Sequence, residues 1–380
     1  MNIVLLTPFP PQEDSLSTYS MMLANELRRR KHEVTIVANQ GRVSRERGVI
    51  ARFHWSPWQL WILFTKLRNI KPELLHLQYA PNTYGMSAVL LWPFLIICRI
   101  FLKTRIIVTF HGVKTSPSVS RRVVSKLFYR FIMYICRSVI VHSYEARDVL
   151  VNRYGISQSQ VVTLPYPIAN EQLPRKSAVP LEDLYELGDA RVIVWFGHIR
   201  ANKGLEYLIK AFDLMRRSDP ELKNTLLVIA GSVQGRRGTL KLIEQKDKLY
   251  EARLQQLVAS RNLKKSVFFT GYIPDEQIAQ WLERAAIVVL PHLRSGRGST
   301  LSRVLASQTP IIASDIGAFK EILGDIGVLT PVANAGALSN KLSDFLISDT
   351  AAKVVSQYNA IRRPRTIGRV VGKLEKIYQS

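Results

Sequence analysis

The chain has 380 residues, 47% of them hydrophobic and 22% charged, a length and balance that point to two globular domains and exclude a disordered or collagen-like chain. Lysine and arginine number 53 against 29 aspartate and glutamate, a formal charge of +24, which favours an anionic partner: nucleic acid, an anionic membrane surface or a phosphorylated small molecule. The two cysteines, Cys98 and Cys136, lie in apolar, helix-like stretches, so a disulfide framework and a cysteine-based zinc site are excluded and two buried thiols in a reducing compartment are expected.

In chain order, the opening MNIVLLTPFPPQ has no basic leader and meets Pro8 after a short apolar run, which reads as a strand rather than a signal peptide. A helix follows on which Leu16, Tyr19, Leu23 and Leu27 share one face. Strands are expected at 33–38, 49–54, 74–78, 105–111 and 138–143. The longest apolar stretch, Met86 to Leu102, is interrupted by Pro93 and Arg99 and is expected to form a buried or surface-lying helix rather than a membrane span. Between Glu73 and Glu145 there is no acidic residue, while nine lysines or arginines occur among aromatic residues. In SRRVVSKLFYRFIMYICR the bases Arg122, Lys126 and Arg130 recur at helical spacing, with Val123, Leu127 and Phe131 one position on. Two readings stand: a solvated basic face over an ordinary core stripe, or a helix lying on an anionic leaflet.

After a proline-containing stretch from Pro165 to Pro180 the pattern restarts, with strands expected at 192–197, 225–231, 267–271, 287–291 and 310–314. Strands apolar throughout and alternating with helices imply parallel sheets covered on both faces. Two such series imply an α/β protein of two doubly wound, Rossmann-like domains facing across a cleft, with ligands at the carboxyl ends of the strands. The expected divisions are 1–170, 171–355 and a helical tail, 356–380, broken at Pro364 and packing back on the first domain. His54, His76, His111, His142, His198 and His292 all fall at or beside an expected strand end. His54 and His142 read as structural; His111, followed by Gly112, and His198, followed by a basic turn, fit either a structural or a site role.

No G-x-G-x-x-G follows the first strand, and no G-x-x-x-x-G-K-[ST], H-E-x-x-H or D-x-D occurs, which disfavours a dinucleotide oxidoreductase, a P-loop nucleotidase and a zinc hydrolase. Two turns in the second half offer another phosphate device. The first, Gly197-His198-Ile199-Arg200-Ala201-Asn202-Lys203-Gly204, places cations between a strand and a helix. The second, Ser295-Gly296-Arg297-Gly298-Ser299-Thr300, precedes a short helix whose unpaired N–H groups and positive dipole end suit an anion. Each turn alone is an ordinary helix cap; at two adjacent crossovers of one sheet they favour a phosphate site.

Along the chain stand Pro8 and Pro10 after the opening strand, RRRKHEVTIVA, PELLHLQ, VTFHG (108–112), VHSYEARDVL, VTLPYPI, VIVWFGHIRANKGLEYLIKAF, VIAG, VFFTGYIPDEQIAQWLERAAIVVLP and TPIIASDIGAFKEIL. In order and spacing these resemble glycosyltransferase family 4, with the two-domain GT-B fold, over nearly the whole length. The resemblance implies a nucleotide-diphosphate sugar as donor, no separate cofactor, retention of anomeric configuration and no essential metal, in keeping with the missing D-x-D. It implies that Lys203, with Arg200 and with His198 where arginine is commonest, grips the diphosphate from a turn that includes Gly197 and Asn202. It also implies that His111 lies near the transferred sugar, that residues 296–300 donate backbone N–H groups to sugar and phosphate, and that Gly271, Tyr272 and Ile273 border the base. Two departures stand out. The family's E-x7-E motif falls on Ser295 and Arg303, and Arg303, which has donors only, is expected to reach a phosphate or a sugar carboxylate instead of a ribose diol. The family's glycine-rich loop in the first half is altered to Glu13-Asp14-Ser15-Leu16. Glu321 reads as structural.

The expected function is a retaining, metal-independent glycosyltransferase acting on a lipid-linked glycan or polysaccharide at the cytoplasmic membrane face. The alternatives are a catalytically impaired relative that binds nucleotide or glycan, and a basic membrane or nucleic-acid adaptor. Nucleic acid ranks last, because no helix-turn-helix, RNP or zinc-finger pattern accompanies the charge.

Overall fold

Segments apolar at consecutive positions need cover on both faces, and a parallel sheet supplies it. The computed structural model describes residues 1–9, 15–39, 48–53, 57–80, 88–113, 119–168, 181, 185–235, 241–294 and 298–379. It divides into two units: Met1–Pro167 with Arg365–Ser380, and Ile168–Pro364.

The first unit runs β1 (Asn2–Leu6), α1 (Ser15–Arg29), β2 (Glu33–Asn39), β3 (Val49–Phe53), α2 (Pro57–Ile70), β4 (Leu74–Tyr79), α3 (Ala88–Phe101), β5 (Arg105–Phe110), α4 (Val119–Ile135), β6 (Ser138–Val141), α5 (Tyr144–Asp148) and β7 (Val161–Thr163). Its strands are parallel, in the order β3-β2-β1-β4-β5-β6-β7. The second unit runs β8 (Arg191–Phe196), α6 (Leu205–Ser218), β9 (Thr225–Ala230), α7 (Lys241–Ser260), β10 (Val267–Phe269), α8 (Asp275–Arg284), β11 (Ile287–Leu290), α9 (Ser299–Ser307), β12 (Ile311–Ser314), α10 (Gly317–Leu323), β13 (Leu329–Thr330), α11 (Ala335–Ile347), α12 (Thr350–Ser356) and α13 (Tyr358–Arg362). Its strands are also parallel, in the order β10-β9-β8-β11-β12-β13. Both orders are doubly wound, with a reversal beside β1 and beside β8. The two-residue β13 and the three-residue β7 are additions to the strands expected from sequence, too short to show a period.

The alternation of side chains along each strand divides the first unit's core in two. Val4 and Leu6 of β1, Leu75 and Leu77 of β4, and Ile106 and Val108 of β5 pack under α2, α3 and α4. Ile3, Leu5, Leu74 and Ile107 face the other way, under α1 and a last helix, α14 (Ile367–Gln379). Leu16, Tyr19, Leu23 and Leu27 do share the buried face of α1. Cys98 and Cys136 are both buried and free, and burial pushes each thiol up to about 12.

Three expectations need correction. The tail leaves the second unit at Pro364 rather than at 356, because Tyr358 is buried in that unit's core and its hydroxyl donates to the carbonyl of Thr309 at 3.1 Å. His76 sits inside β4 rather than at its end. Val123, Leu127 and Phe131 are exposed, so α4 carries no core stripe there; Tyr129, Ile132 and Met133 make its inner face.

α14 is fastened as well as packed. Val371, Leu374 and Tyr378 are buried, Arg30 Nη1 and His32 Nε2 lie 2.7 and 2.8 Å from the Glu375 carboxylate, and Arg105 donates to the carbonyl of Tyr378 at 2.6 Å. Leu374→Ala leaves a void against α1 and β1, and is expected to lower unfolding stability by about 2–5 kcal/mol, read by urea denaturation of the whole chain.

Candidate functional site

In the second unit β8 is the strand from which the order runs both ways, through β9 to β10 and through β11 to β13. Ligands of such sheets sit at the carboxyl ends there. The turn after β8 is tied to both neighbours by backbone contacts that exclude side chains. On one side Gly197 (φ +138°) meets Gly231 (φ +157°), and a Cβ on Gly231 would lie 1.9 Å from the Gly197 carbonyl oxygen. Gly197 N–H donates to Ala230 at 3.1 Å and Ile199 N–H to Ser232 at 3.0 Å. On the other side Gly204 (φ +65°) stands so close to the β11 turn that a Cβ would lie 2.0 Å from the Pro291 carbonyl oxygen, and Leu293 N–H donates to Asn202 at 3.0 Å.

Between these ties Ala201–Lys203 forms one 3-10 turn. Lys203 Nζ lies 3.2 Å from Nε2 of His292, in the turn after β11. Burial, with the Lys203 charge beside it, pushes the His292 imidazole down to about 2. The ring is therefore neutral and accepts at Nε2 from the ammonium, leaving its proton on Nδ1. A neutral acceptor orients Lys203 without cancelling its charge. Arg200 turns the other way: Nη2 bonds Gln234 Oε1, and Nε lies 3.8 Å from the Asp247 carboxylate of α7. The basic turn thus splits, with Arg200 charge-paired on the β9 side and Lys203 held by an imidazole on the β11 side.

The other expected residues distribute along the same edge. His198 is half-buried and Asn202 exposed. Gly271 (φ +74°) and the exposed Tyr272 follow β10, two strands from β8, roughly 10 Å away at the usual strand spacing. Gly298 caps α9 with no side-chain hydrogen bond, and Ser299 and Thr300 open that helix half-buried. Arg303 sits on α9 one turn further along, also half-buried. Ser295, Gly296 and Arg297 lie outside the described residues, as do His54, Pro10, Glu13 and Asp14. Sequence reasoning placed His292 at a strand end without giving it a role; its contact with Lys203 joins residues 89 apart.

His111 belongs to the first unit, just beyond β5, and is buried in a polar cluster. Its Nε2 donates to Gln78 Oε1 at 2.7 Å, and Gln78 Nε2 reaches His76 Nε2 at 3.1 Å. His76 Nε2 also lies 2.7 Å from Thr109 Oγ1, and its Nδ1 lies 2.6 Å from the Tyr378 hydroxyl of α14. Tyr19 packs edge-on against the rings of His111, at 4.8 Å, and His142, at 5.5 Å. His142 donates from Nδ1 to the Leu164 carbonyl at 3.0 Å. Burial pushes His76 down to about 3 and His142 to about 4, so both are neutral inside the fold.

Two predictions follow from these contacts. Gly204→Ala combines a left-handed backbone with a clash against a carbonyl, and is expected to cost about 3 kcal/mol or more, read as a lowered thermal midpoint. His76, His142 and His292 each bind a proton more readily unfolded, near 6.5, than folded. Their stabilisation is full above about pH 6.5 and lost as pH falls toward the folded values. The urea midpoint is therefore expected to drop from about pH 7 to about pH 5, less steeply in His292→Asn than in the parent chain.

Residues 16–172 match the family described as Glycosyltransferase Family 4, and residues 183–362 match Glycosyl transferases group 1. The lipopolysaccharide core biosynthesis mannosyltransferase LpcC of Rhizobium leguminosarum bv. viciae is 28% identical over 190 residues, 49% of each chain. The O-antigen chain mannosyltransferase B of Escherichia coli is 20% identical over 213 residues, 56% of this chain and 52% of its own. The chain spans about half the length of the curated relatives it matches. Among solved structures, a glycosyltransferase from Rickettsia africae superposes with a TM-score of 0.77 at 17% identity over 99% of this chain and 97% of its own. Alr3699/HepE of Anabaena, in complex with UDP and glucose, gives 0.77 at 13% identity over the whole of both chains. These likenesses identify the fold as GT-B.

Proposed function

From a chain that belongs to glycosyltransferase family 4, we infer a retaining glycosyltransferase that moves a sugar from a nucleotide-diphosphate donor to a lipid-linked glycan or polysaccharide at the cytoplasmic face of a membrane. The observation that carries the donor side is Lys203, set by His292 between two crossover turns fastened to each other. In the transfer, the bond from the sugar's anomeric carbon to the diphosphate breaks as the acceptor hydroxyl oxygen bonds that carbon on the same face. The hydroxyl proton leaves to the departing phosphate.

Charge gathers on that phosphate as the bond breaks, and a preorganised cation stabilises it most where water is scarce. Lys203 supplies the cation, and the first N–H groups of α9 supply dipoles of the same sign. Arg200 and His198 complete the diphosphate side with Asn202 and Gly197. Gly271 and Tyr272 border the base, and Ser295 to Thr300 hold the sugar and its phosphate. His111 is assigned to contact with the transferred sugar, and Arg303 to a phosphate or a sugar carboxylate. The reaction needs no metal in this reading, because fixed cations and helix N–H groups replace one.

Alr3699/HepE in complex with UDP and glucose, and the mannosyltransferases of Rhizobium and Escherichia coli, define the first ligands to try. In a thermal-shift screen of UDP, GDP, ADP and their sugars, one nucleoside diphosphate is expected to raise the midpoint. Lys203→Ala is expected to weaken it about 10- to 100-fold while leaving the unliganded midpoint nearly unchanged. Unchanged affinity sinks the assignment of Lys203; binding without donor hydrolysis or transfer favours the impaired relative.

A further inference from the structure

A soluble helix on a sheet ordinarily turns its apolar stripe inward and its polar one outward. α2, α3 and α4, side by side on one face of the first sheet, are apolar on both. Leu63 and Leu67, Leu91 and Leu95, and Ile132 and Met133 face the core. Outward stand Trp58 (72% exposed), Trp61 (60%) and Ile62 on α2, and Ile97, Ile100 (62%) and Phe101 (71%) on α3. Val123, Leu127 (63%), Phe131 and Tyr134 (84%) do so on α4. On α4 these positions recur every three or four residues, so they form one stripe.

The stripes join. Trp61 stacks on Phe64 at 5.8 Å, Phe64 meets Phe101 edge-on at 6.4 Å, and Arg99 of α3 donates to the Tyr134 carbonyl of α4 at 3.0 Å. A patch of this breadth marks an interaction site rather than scattered surface residues.

Charge selects the partner. α2, α3 and α4 contain no aspartate or glutamate, and carry Lys66, Arg68, Arg99, Arg121, Arg122, Lys126 and Arg130. Lys66, Arg68, Arg99, Lys126 and Arg130 are exposed. A second copy would set this positive face against itself, whereas an anionic lipid surface takes both the aromatic and the basic side chains. No helix among the described residues is long and apolar enough to cross a membrane. The 14 residues of α3 span about 21 Å, short of a bilayer core of about 30 Å.

We propose that the outer face of α2, α3 and α4 is a docking surface for an anionic bilayer, seating Trp58, Trp61, Phe101 and Leu127 among the acyl chains while Lys66, Arg68, Lys126 and Arg130 meet lipid phosphates. This deepens the membrane-face part of the function proposed above and is independent of its donor side.

The test is flotation of the full chain with vesicles of phosphatidylglycerol mixed with phosphatidylcholine, beside phosphatidylcholine alone, with tryptophan emission followed in parallel. Binding and a blue shift are expected with the anionic vesicles. Lys126→Glu with Arg130→Glu is expected to cut vesicle affinity about fivefold or more per base, and Trp61→Ser with Phe101→Ser to abolish the blue shift and most of the binding. All four residues are exposed, so the thermal midpoint and nucleoside-diphosphate affinity are expected to stay at parental values. Vesicle binding that survives both pairs, or no binding by the parent, overturns the proposal. So does a dimer, measured without lipid, that Trp61→Ser with Phe101→Ser disperses, or duplex DNA that displaces the vesicles. Loss of nucleotide binding in Lys203→Ala with vesicle binding intact leaves the surface standing on its own, and the converse leaves the donor site.

Discussion

The second unit's site depends on two places where backbone meets backbone with no room for a Cβ: Gly231 against Gly197, and Gly204 against Pro291. Loops at strand ends are ordinarily the most variable part of an α/β fold. Here three successive turns, after β9, β8 and β11, are fixed to one another by direct main-chain hydrogen bonds. Lys203 is therefore placed by the sheet itself, and the flexible stem of a lysine is compensated by a rigid base and a buried imidazole. The imidazole beside Lys203 is neutral, whereas Arg200 lies beside the Asp247 carboxylate.

The first unit uses buried polarity differently. Its histidines line up with Gln78, Thr109 and Tyr378 on the side of the sheet that α1 and α14 cover. Each buried donor or acceptor left alone there would be costly, and a connected set fixes one arrangement of the rings. The orientation of His111 thus depends, through Gln78 and His76, on a tyrosine more than 250 residues further along the chain. The opposite side of the same sheet is almost wholly apolar.

Much of this was legible in the sequence. Strands buried on both faces are unbroken apolar runs, and their alternation with helices dictates parallel order; both doubly wound sheets follow from that. The basic turn at 197–204 and the glycine-rich opening of α9 were visible because glycine and cation spacing carry backbone meaning. What stayed hidden needed strand order. Nothing local ties Lys203 to His292, or His76 to Tyr378; adjacency of β8 to β11, and the return of α14, create both pairs. The α4 stripe was ambiguous for a different reason. A helix apolar on two faces has the same period as one apolar on a single face, and only the packing of Tyr129, Ile132 and Met133 decides which side turns inward.

The return of α14 has a consequence for synthesis. One side of the first unit's core is covered jointly by α1 and by a helix made after the whole second unit, so the part of the Met1–Pro167 sheet that α14 covers stands open while Ile168–Pro364 is translated. At ordinary elongation rates that interval lasts about 10 to 40 s, long against the folding of a small domain. The first unit, begun first, is therefore the last to close, when Leu374 and Tyr378 reach their places in its core.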